Sequence, residues 1–382
     1  MSLRFPLTLC CALFLAACGQ GGDAGRSAGI DLQKALGGGD TAGFARALAP
    51  RSFVFPADYG PHPRFRTEWW YFTGNLRDTQ GRPYGFELTF FRVALAPHKP
   101  AGASHWLTNQ LYMAHFAVTD VPAGRFVARQ RFARGALGLA GAQAQPFRIW
   151  TGDWSVQGKG GGGFPWRLHA ADKMAGLELS LKPQQGVILN GDRGLSRKGS
   201  APGDASYYYS MPRLAATGKL RVGRHTLNVH GTVWLDREWS TSALAPDQVG
   251  WDWFALRLND GSDLMFYRLR DRGGRTDPHS AGTWVSPQGR VVHLGAGAVK
   301  IGVLGHWESP RGGRYPARWR LRVPSLGLDV EVRPLLADQE LDLAVRYWEG
   351  AVRVQGSRAG KAVGGNGYVE LTGYAGGRPV KR

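Results

Sequence analysis

Beyond residue 50 the chain is written as short apolar runs broken by Gly, Pro and Asp. Runs rich in Trp, Tyr, Phe, Val and Leu fall at 68–76, 84–93, 106–119, 147–156, 167–171 and 176–183. They resume at 218–222, 225–235, 251–258, 263–269, 282–286, 318–323, 329–334, 347–355 and 367–372. Strands at this spacing predict an all-β sandwich or barrel. No helical period follows Pro50, and strand never alternates with helix, so a parallel α/β fold is excluded. The Gly-rich tract 158–163 reads as a loop and not a phosphate cradle, because no Gly-Lys-Ser/Thr ending or helix follows it. The polar stretch 240–249 divides the body into two antiparallel units, 51–240 and 241–382. Each is long enough to close a barrel of about eight strands.

The first fifty residues follow another pattern. Arg4, an apolar run from Leu7 to Phe14 and the ending Leu15-Ala16-Ala17-Cys18 read as an export signal over 1–17. The run is too short to cross a bilayer of about 30 Å as a helix. Leu15-Ala16-Ala17-Cys18 resembles a bacterial lipobox, which implies lipidation of Cys18 and a membrane anchor. Gly19, standing where inner-membrane lipoproteins carry Asp, points to the outer membrane. Residues 18–50 are expected to be a tether with short helical pieces near 32–36 and 41–48, the second opened by the N-cap Thr41.

Composition sharpens this picture. All three cysteines, Cys10, Cys11 and Cys18, lie in or at the end of the signal, so the mature body has neither disulfide nor Cys-ligated metal. Packing alone must hold it, and 43% hydrophobic residues with 11% aromatics supply the material. The 55 glycines show no collagen period and mark turns between strands. Lysine and arginine number 48 against 29 acids, a net charge of +19. Export turns that charge away from nucleic acid and toward anionic lipid surfaces.

Standard catalytic motifs are absent: no Gly-x-Ser-x-Gly, no His-Glu-x-x-His, no EF-hand loop. His62, His105, His115, His225, His230, His279 and His293 are scattered, and neither metal nor cofactor is expected. The distinctive feature is acids set among tryptophans. In Glu68-Trp69-Trp70-Tyr71-Phe72, strand alternation puts Glu68, Trp70 and Phe72 on one face and Trp69 and Tyr71 on the other. In Trp234-Leu235-Asp236-Arg237-Glu238-Trp239, one face carries Trp234, Asp236 and Glu238. Asp252 stands between Trp251 and Trp253. A carboxyl held beside indoles, away from water, favours its neutral form and can donate a proton near neutral pH. The same acids can equally be structural, paired with arginines such as Arg66, Arg237 or Arg257.

These residues carry a family likeness. Phe55-Pro56-Ala57-Asp58-Tyr59-Gly60-Pro61-His62, the run Phe65 to Gly74, Tyr207-Tyr208-Tyr209-Ser210, the run Gly231 to Trp239 and Gly250-Trp251-Asp252-Trp253-Phe254 resemble the AttH-like family of exported lipocalin-like proteins. That family is related to carotenoid 1,2-hydratase (hydroxyneurosporene synthase), and its members are often labelled secreted hydrolases. The likeness covers residues 50–382. It implies two lipocalin-like β-barrel domains packed together, with an apolar cavity near their junction. In the hydratase branch an acid protonates a terminal C=C and water adds to the resulting cation. The branch's Tyr-x-Asp strand corresponds here to Phe266-Tyr267-Arg268-Leu269, which lacks the second acid. No nucleophile motif stands behind a hydrolase.

Two functions therefore remain open from sequence. One is a membrane-tethered protein that binds or carries a hydrophobic, lipid- or isoprenoid-like molecule. The other is a hydratase or hydrolase of such a molecule, with Asp236, Glu238 and Asp252 as candidate acids and bases. The expected pocket residues are Glu68, Trp70, Trp234, Trp251, Trp253 and Tyr267.

Overall fold

The structure, a computed structural model, describes residues 30–31, 41–160, 163–242, 244–245 and 247–375. The export signal, Cys18 and the helical piece expected at 32–36 lie outside the described residues. A two-residue strand, β1 (Ile30–Asp31), comes first. The first sheet is built from β2 (Thr67–Asp78), β3 (Pro83–Ala94), β4 (Gln110–Asp120), β5 (Arg125–Arg134), β6 (Ala140–Ala144), β7 (Phe147–Thr151), β8 (Trp154–Lys159), β9 (Gly163–Ala171), β10 (Ala175–Pro183), β11 (Ile188–Leu189), β12 (Leu195–Arg197), β13 (Ala205–Val222) and β14 (His225–Ser240). The second contains β15 (Gln248–Leu258), β16 (Asp263–Asp271), β17 (Ala281–Val285), β18 (Val291–Gly295), β19 (Lys300–Glu308), β20 (Arg314–Val323), β21 (Leu328–Pro334), β22 (Glu340–Asp342), β23 (Val345–Arg358) and β24 (Lys361–Leu371).

The strand order in the first sheet is β5-β4-β3-β2-β14-β13-β10-β9-β8-β7-β6, with β11 and β12 also beside β13. The second runs β18-β17-β16-β15-β24-β23-β21-β20-β19. All pairs are antiparallel except β1 with β23. The two curled sheets are lipocalin-like barrels packed against each other, and the chain crosses from one to the other between Ser240 and Gln248.

Each barrel has its own apolar interior. The first holds Trp70, Phe72, Phe86, Leu88, Trp154 and Trp166. The second holds Phe254, Trp319, Trp348 and Val352. Side chains alternate across a strand, so the opposite faces of β2, β14, β15 and β24 point out of the barrels. Those outward faces meet, and two further buried clusters, one around Tyr71, Trp234 and Trp253 and one around Phe91 and Tyr347, lie between the barrels.

Two differences from the sequence pattern have physical causes. Segment 41–50 forms turns and no helix. Its Ala45 N–H bonds the Arg64 carbonyl and its Phe44 and Ala47 are buried, so tertiary packing overrides the capping signal. Strands β5 and β19 were not visible as apolar runs. β19 alternates between exposed and half-buried and β5 is half-buried along most of its length, so neither has a fully buried apolar face to mark it.

Strand β24 shows how closely the second sheet is wound. A Cβ at Gly367 would lie 2.0 Å from the Ala255 carbonyl oxygen, a backbone atom that cannot step aside. Gly367→Val is expected to destabilise the protein by about 2 kcal/mol or more in chemical denaturation. Unchanged stability would mean that β15 and β24 do not approach as described.

Candidate active site

The outward face of the first sheet is ordered in rows, because antiparallel register sets partners side by side. Ser206, Ser240 and Thr67 form one row across β13, β14 and β2. The next is Tyr208, Glu238 and Trp69, continued by Phe91 on β3. The third is Ser210, Asp236, Tyr71 and Thr89. From the second barrel, Trp253 is registered with Tyr267 on one side and Glu370 on the other, and Trp251 with Leu269. These two faces enclose a cavity of about 130 Å³ whose wall includes Trp69, Tyr71, Trp251, Trp253, Asp236, Glu238 and Glu370. Aromatic and aliphatic groups dominate the wall, with a few polar atoms converging on it, as small-molecule sites require.

Asp236 is the most elaborately held acid. Tyr208 Oη donates to Oδ2 at 2.5 Å, while Ser210 Oγ and Trp234 Nε1 donate to Oδ1 at 2.6 and 2.7 Å. Burial penalises its charge more than these donors support it, and Glu238 adds repulsion. The carboxyl is pushed up to about 7. Glu370 goes further, to about 8, through burial and the repulsion of Glu87, against a hydrogen bond from Trp251. Glu238 is paired differently, with Lys198 Nζ 3.4 Å from its Oε1. The Lys198 ammonium also stands 3.6 Å from the Tyr267 ring centroid. Burial alone would lower the lysine, but Glu238 and Tyr267 outweigh it and hold it raised.

The cavity floor continues into a second polar group. Tyr71 Oη donates to Glu349 Oε1 at 2.6 Å, and Tyr347 Oη to Glu87 Oε1 at 2.8 Å. His115 Nδ1 lies 2.8 Å from the Tyr347 oxygen. Burial drops His115 to about 3, so it is neutral and donates there. Burial lifts Glu87 to about 7 and, with repulsion from Glu87 and Glu370, drives Glu349 well up. Oε2 of both Glu87 and Glu349 lacks a hydrogen-bond partner among the described residues. A carboxylate in that state would be far costlier than a carboxylic acid.

The structure divides the residues expected from sequence. Asp236, Glu238, Trp251, Trp253 and Tyr267 come together on the cavity wall, and Trp234 stands behind Asp236 as its donor. Glu68 and Trp70 do not join them, for they point into the first barrel. Glu68 bonds Arg92, Arg237 and His62; burial would raise it, but the two guanidiniums hold it well below the usual range. The Trp70 indole donates to the Tyr59 carbonyl, with the Arg237 guanidinium 3.7 Å from its ring. Asp252 faces the second barrel's interior, tied by Arg268, Arg270 and Tyr374, and is not on the cavity. For these two acids the structural role wins, because strand alternation turns them inward. Tyr267 and Leu269 both line the cavity, so an apolar side chain stands where the resemblance implies an acid. A carboxyl reaches the wall instead from Glu370 on β24, on the far side of β15. Sequence reading missed Glu370, Glu349, Glu87 and Lys198. The one signal available was the alternation Tyr368-Val369-Glu370-Leu371, an acid in an apolar strand with no cation at its side.

A family model described as AttH-like matches residues 46–374. The crystal structure of an AttH from Nitrosomonas europaea is similar with a TM-score of 0.77 and 34% identity, covering 87% of this chain and 100% of that one. Kievitone hydratase from Nectria haematococca shares the fold at a TM-score of 0.63 and 16% identity, over 87% of this chain and 96% of its own. No curated protein sequence matches the chain.

The raised carboxyls make stability depend on pH with a definite sign. In the unfolded chain they titrate near 3.8 and 4.5, in the folded chain near 7 for Asp236 and 8 for Glu370. Their contributions are therefore complete below the lower values and are lost as pH rises through the higher ones. At about 1.4 kcal/mol per unit, Glu370 alone accounts for on the order of 5 kcal/mol. Unfolding free energy should fall from about pH 5 to about pH 8, and Glu370→Gln should flatten the decline. An identical slope in that variant would mean Glu370 is ionised in the native protein.

Proposed function

Because the chain belongs to the AttH-like family, with a cavity between its barrels, we propose that it binds an apolar small molecule bearing a C=C bond there and adds water across that bond. One observation carries the reading: two carboxyls whose neutral forms are favoured near neutral pH stand on the wall of an aromatic cavity. Binding or carriage alone needs the cavity but has no use for buried acids, which cost stability above neutral pH. The hydratase named among the structures sharing this fold supports the same direction. A hydrolase finds less support. The cavity serines Ser206, Ser240 and Ser242 make no hydrogen bond to a histidine among the described residues.

The chemistry follows from the two acids. Glu370, the more basic carboxyl, remains protonated at neutral pH and gives its proton to one alkene carbon, whose π pair forms the new C–H bond. The positive charge left on the other carbon faces the indoles of Trp69, Trp251 and Trp253, which attract cations through their ring faces. A water molecule attacks that carbon, and its released proton passes to ionised Asp236. Transfer from Asp236 back to Glu370 through solvent restores the starting state. Alkene and water are consumed, and an alcohol is made.

The test is incubation of the mature protein with an isoprenoid-rich lipid extract, read by mass spectrometry for gain of one water. The rate should be bell-shaped, rising as Asp236 ionises near 7 and falling as Glu370 ionises near 8. Asp236→Asn and Glu370→Gln should each lower it about a hundredfold or more while the fold survives. An apolar molecule that binds and leaves unchanged in mass would establish a carrier and remove the catalytic reading.

We also propose that Cys18 carries the lipid that holds the protein to the cell envelope, facing the periplasm. Several acyl chains on one residue anchor firmly, at about 0.8 kcal/mol per buried CH₂. Cys18→Ser should move the protein from the membrane pellet to the soluble fraction; retention in the pellet would refute the anchor.

A further inference from the structure

The outer end of the cavity is polar in a way the addition of water does not use. Ser196 on β12 extends the row of Ser206, Ser240 and Thr67, so four hydroxyls stand side by side across four strands. Three of them are engaged. Ser196 Oγ is 2.8 Å from Tyr267 Oη, Ser240 Oγ donates to the Ala205 carbonyl at 2.9 Å, and Thr67 Oγ1 to the Ser240 carbonyl at 3.1 Å. Ser206 Oγ is buried, belongs to a residue on the cavity wall, and has no hydrogen-bond partner among the described residues. A buried hydroxyl left in that state is unfavourable and calls for a partner. Glu238 stands one row further in, and Lys198, just past the end of β12, brings its ammonium to 3.4 Å from it, a donor beside an acceptor.

That combination is selective. A free anion would meet the Glu238 carboxylate, a cation would meet Lys198, and a purely apolar end would leave Ser206 unsatisfied. A neutral hydroxyl satisfies all three, accepting from Lys198 and Ser206 and donating to Glu238. We infer that Ser206, Lys198 and Glu238 form a hydroxyl-recognition subsite, and that the ligand is an apolar molecule bearing an alcohol or phenol at one end. Where its double bond lies rests on the hydration reading above; the subsite itself requires only the cavity. Strand rise sets the length. Asp236 is two residues from Glu238 and four from Ser240 along β14, so hydroxyl and reacting carbon are roughly 7–13 Å apart.

Three probes with one ten-carbon diene skeleton test this by calorimetry at neutral pH: geraniol, geranyl methyl ether and geranic acid. Geraniol should bind about tenfold tighter than the ether, which cannot donate, and tighter than the anionic acid. Ser206→Ala breaks no hydrogen bond present in the structure and should cost geraniol most of that advantage while leaving the ether within about twofold. The paired variant Lys198→Met with Glu238→Gln should do the same; if it fails to fold, Ser206→Ala decides alone. Equal affinity for geraniol and its ether, or an advantage that survives Ser206→Ala, overturns the subsite but not the hydration reading. Tightest binding of geranic acid overturns it in favour of an anion site. Binding of none of the three overturns the subsite and the cavity reading together.

Discussion

Two barrels meet here through faces that carry carboxyls and phenols, and the burial of those carboxyls with no arginine partner among the described residues is the constraint from which the site follows. Glu87, Glu349, Glu370 and Asp236 receive hydrogen bonds from tyrosine, serine, threonine or tryptophan, which support a carboxyl less than a cation does. In such surroundings the favoured species is the acid. The junction thus stores protons at neutral pH inside an enclosure with aromatic walls. Burial between the barrels creates this state, and the hydrogen bonds across the boundary, Tyr71 to Glu349, Tyr347 to Glu87 and Trp253 to Tyr208, join them. Assembly and proton storage are one arrangement.

The barrel interiors use acids in the opposite way. Glu68 lies between Arg92 and Arg237, and Asp252 between Arg268 and Arg270, each charge met within its own barrel. Removing a partner from such a buried pair is expensive, whereas the pair itself contributes to specificity of packing more than to net stability. The chain is rich in arginine, yet the junction acids are kept away from it. Lys198 is the exception, and its position at the outer end of the cavity separates a zwitterionic pair from the neutral acids deeper in.

Much of this was legible in the sequence. The spacing of apolar runs gave the all-β class, and the residues around Glu68, Asp236 and Trp251 gave the family. Two carboxylates at alternate positions, Asp236 and Glu238, were placed correctly on one face. What the pattern could not decide was which face looks into a barrel and which looks across to the other, since both are aromatic. That is why Glu68, Trp70 and Asp252 looked equivalent to Asp236 while the fold turns them inward. Glu370, Glu349 and Glu87 escaped for a different reason. Each sits alone in its strand, and only the register of β23 with β24, and the meeting of the two sheets, brings them to one place.

The proposed chemistry depends on junction acids that carry protons at neutral pH. Infrared difference spectroscopy of the carboxyl C=O stretch, recorded on wild type, Asp236→Asn and Glu370→Gln, addresses it without a substrate. A protonated-carboxyl band is expected at neutral pH, weaker in each variant and, in wild type, declining only as pH passes about 7 to 8. Absence of that band at neutral pH, with every junction carboxyl ionised at ordinary acidic values, would contradict it.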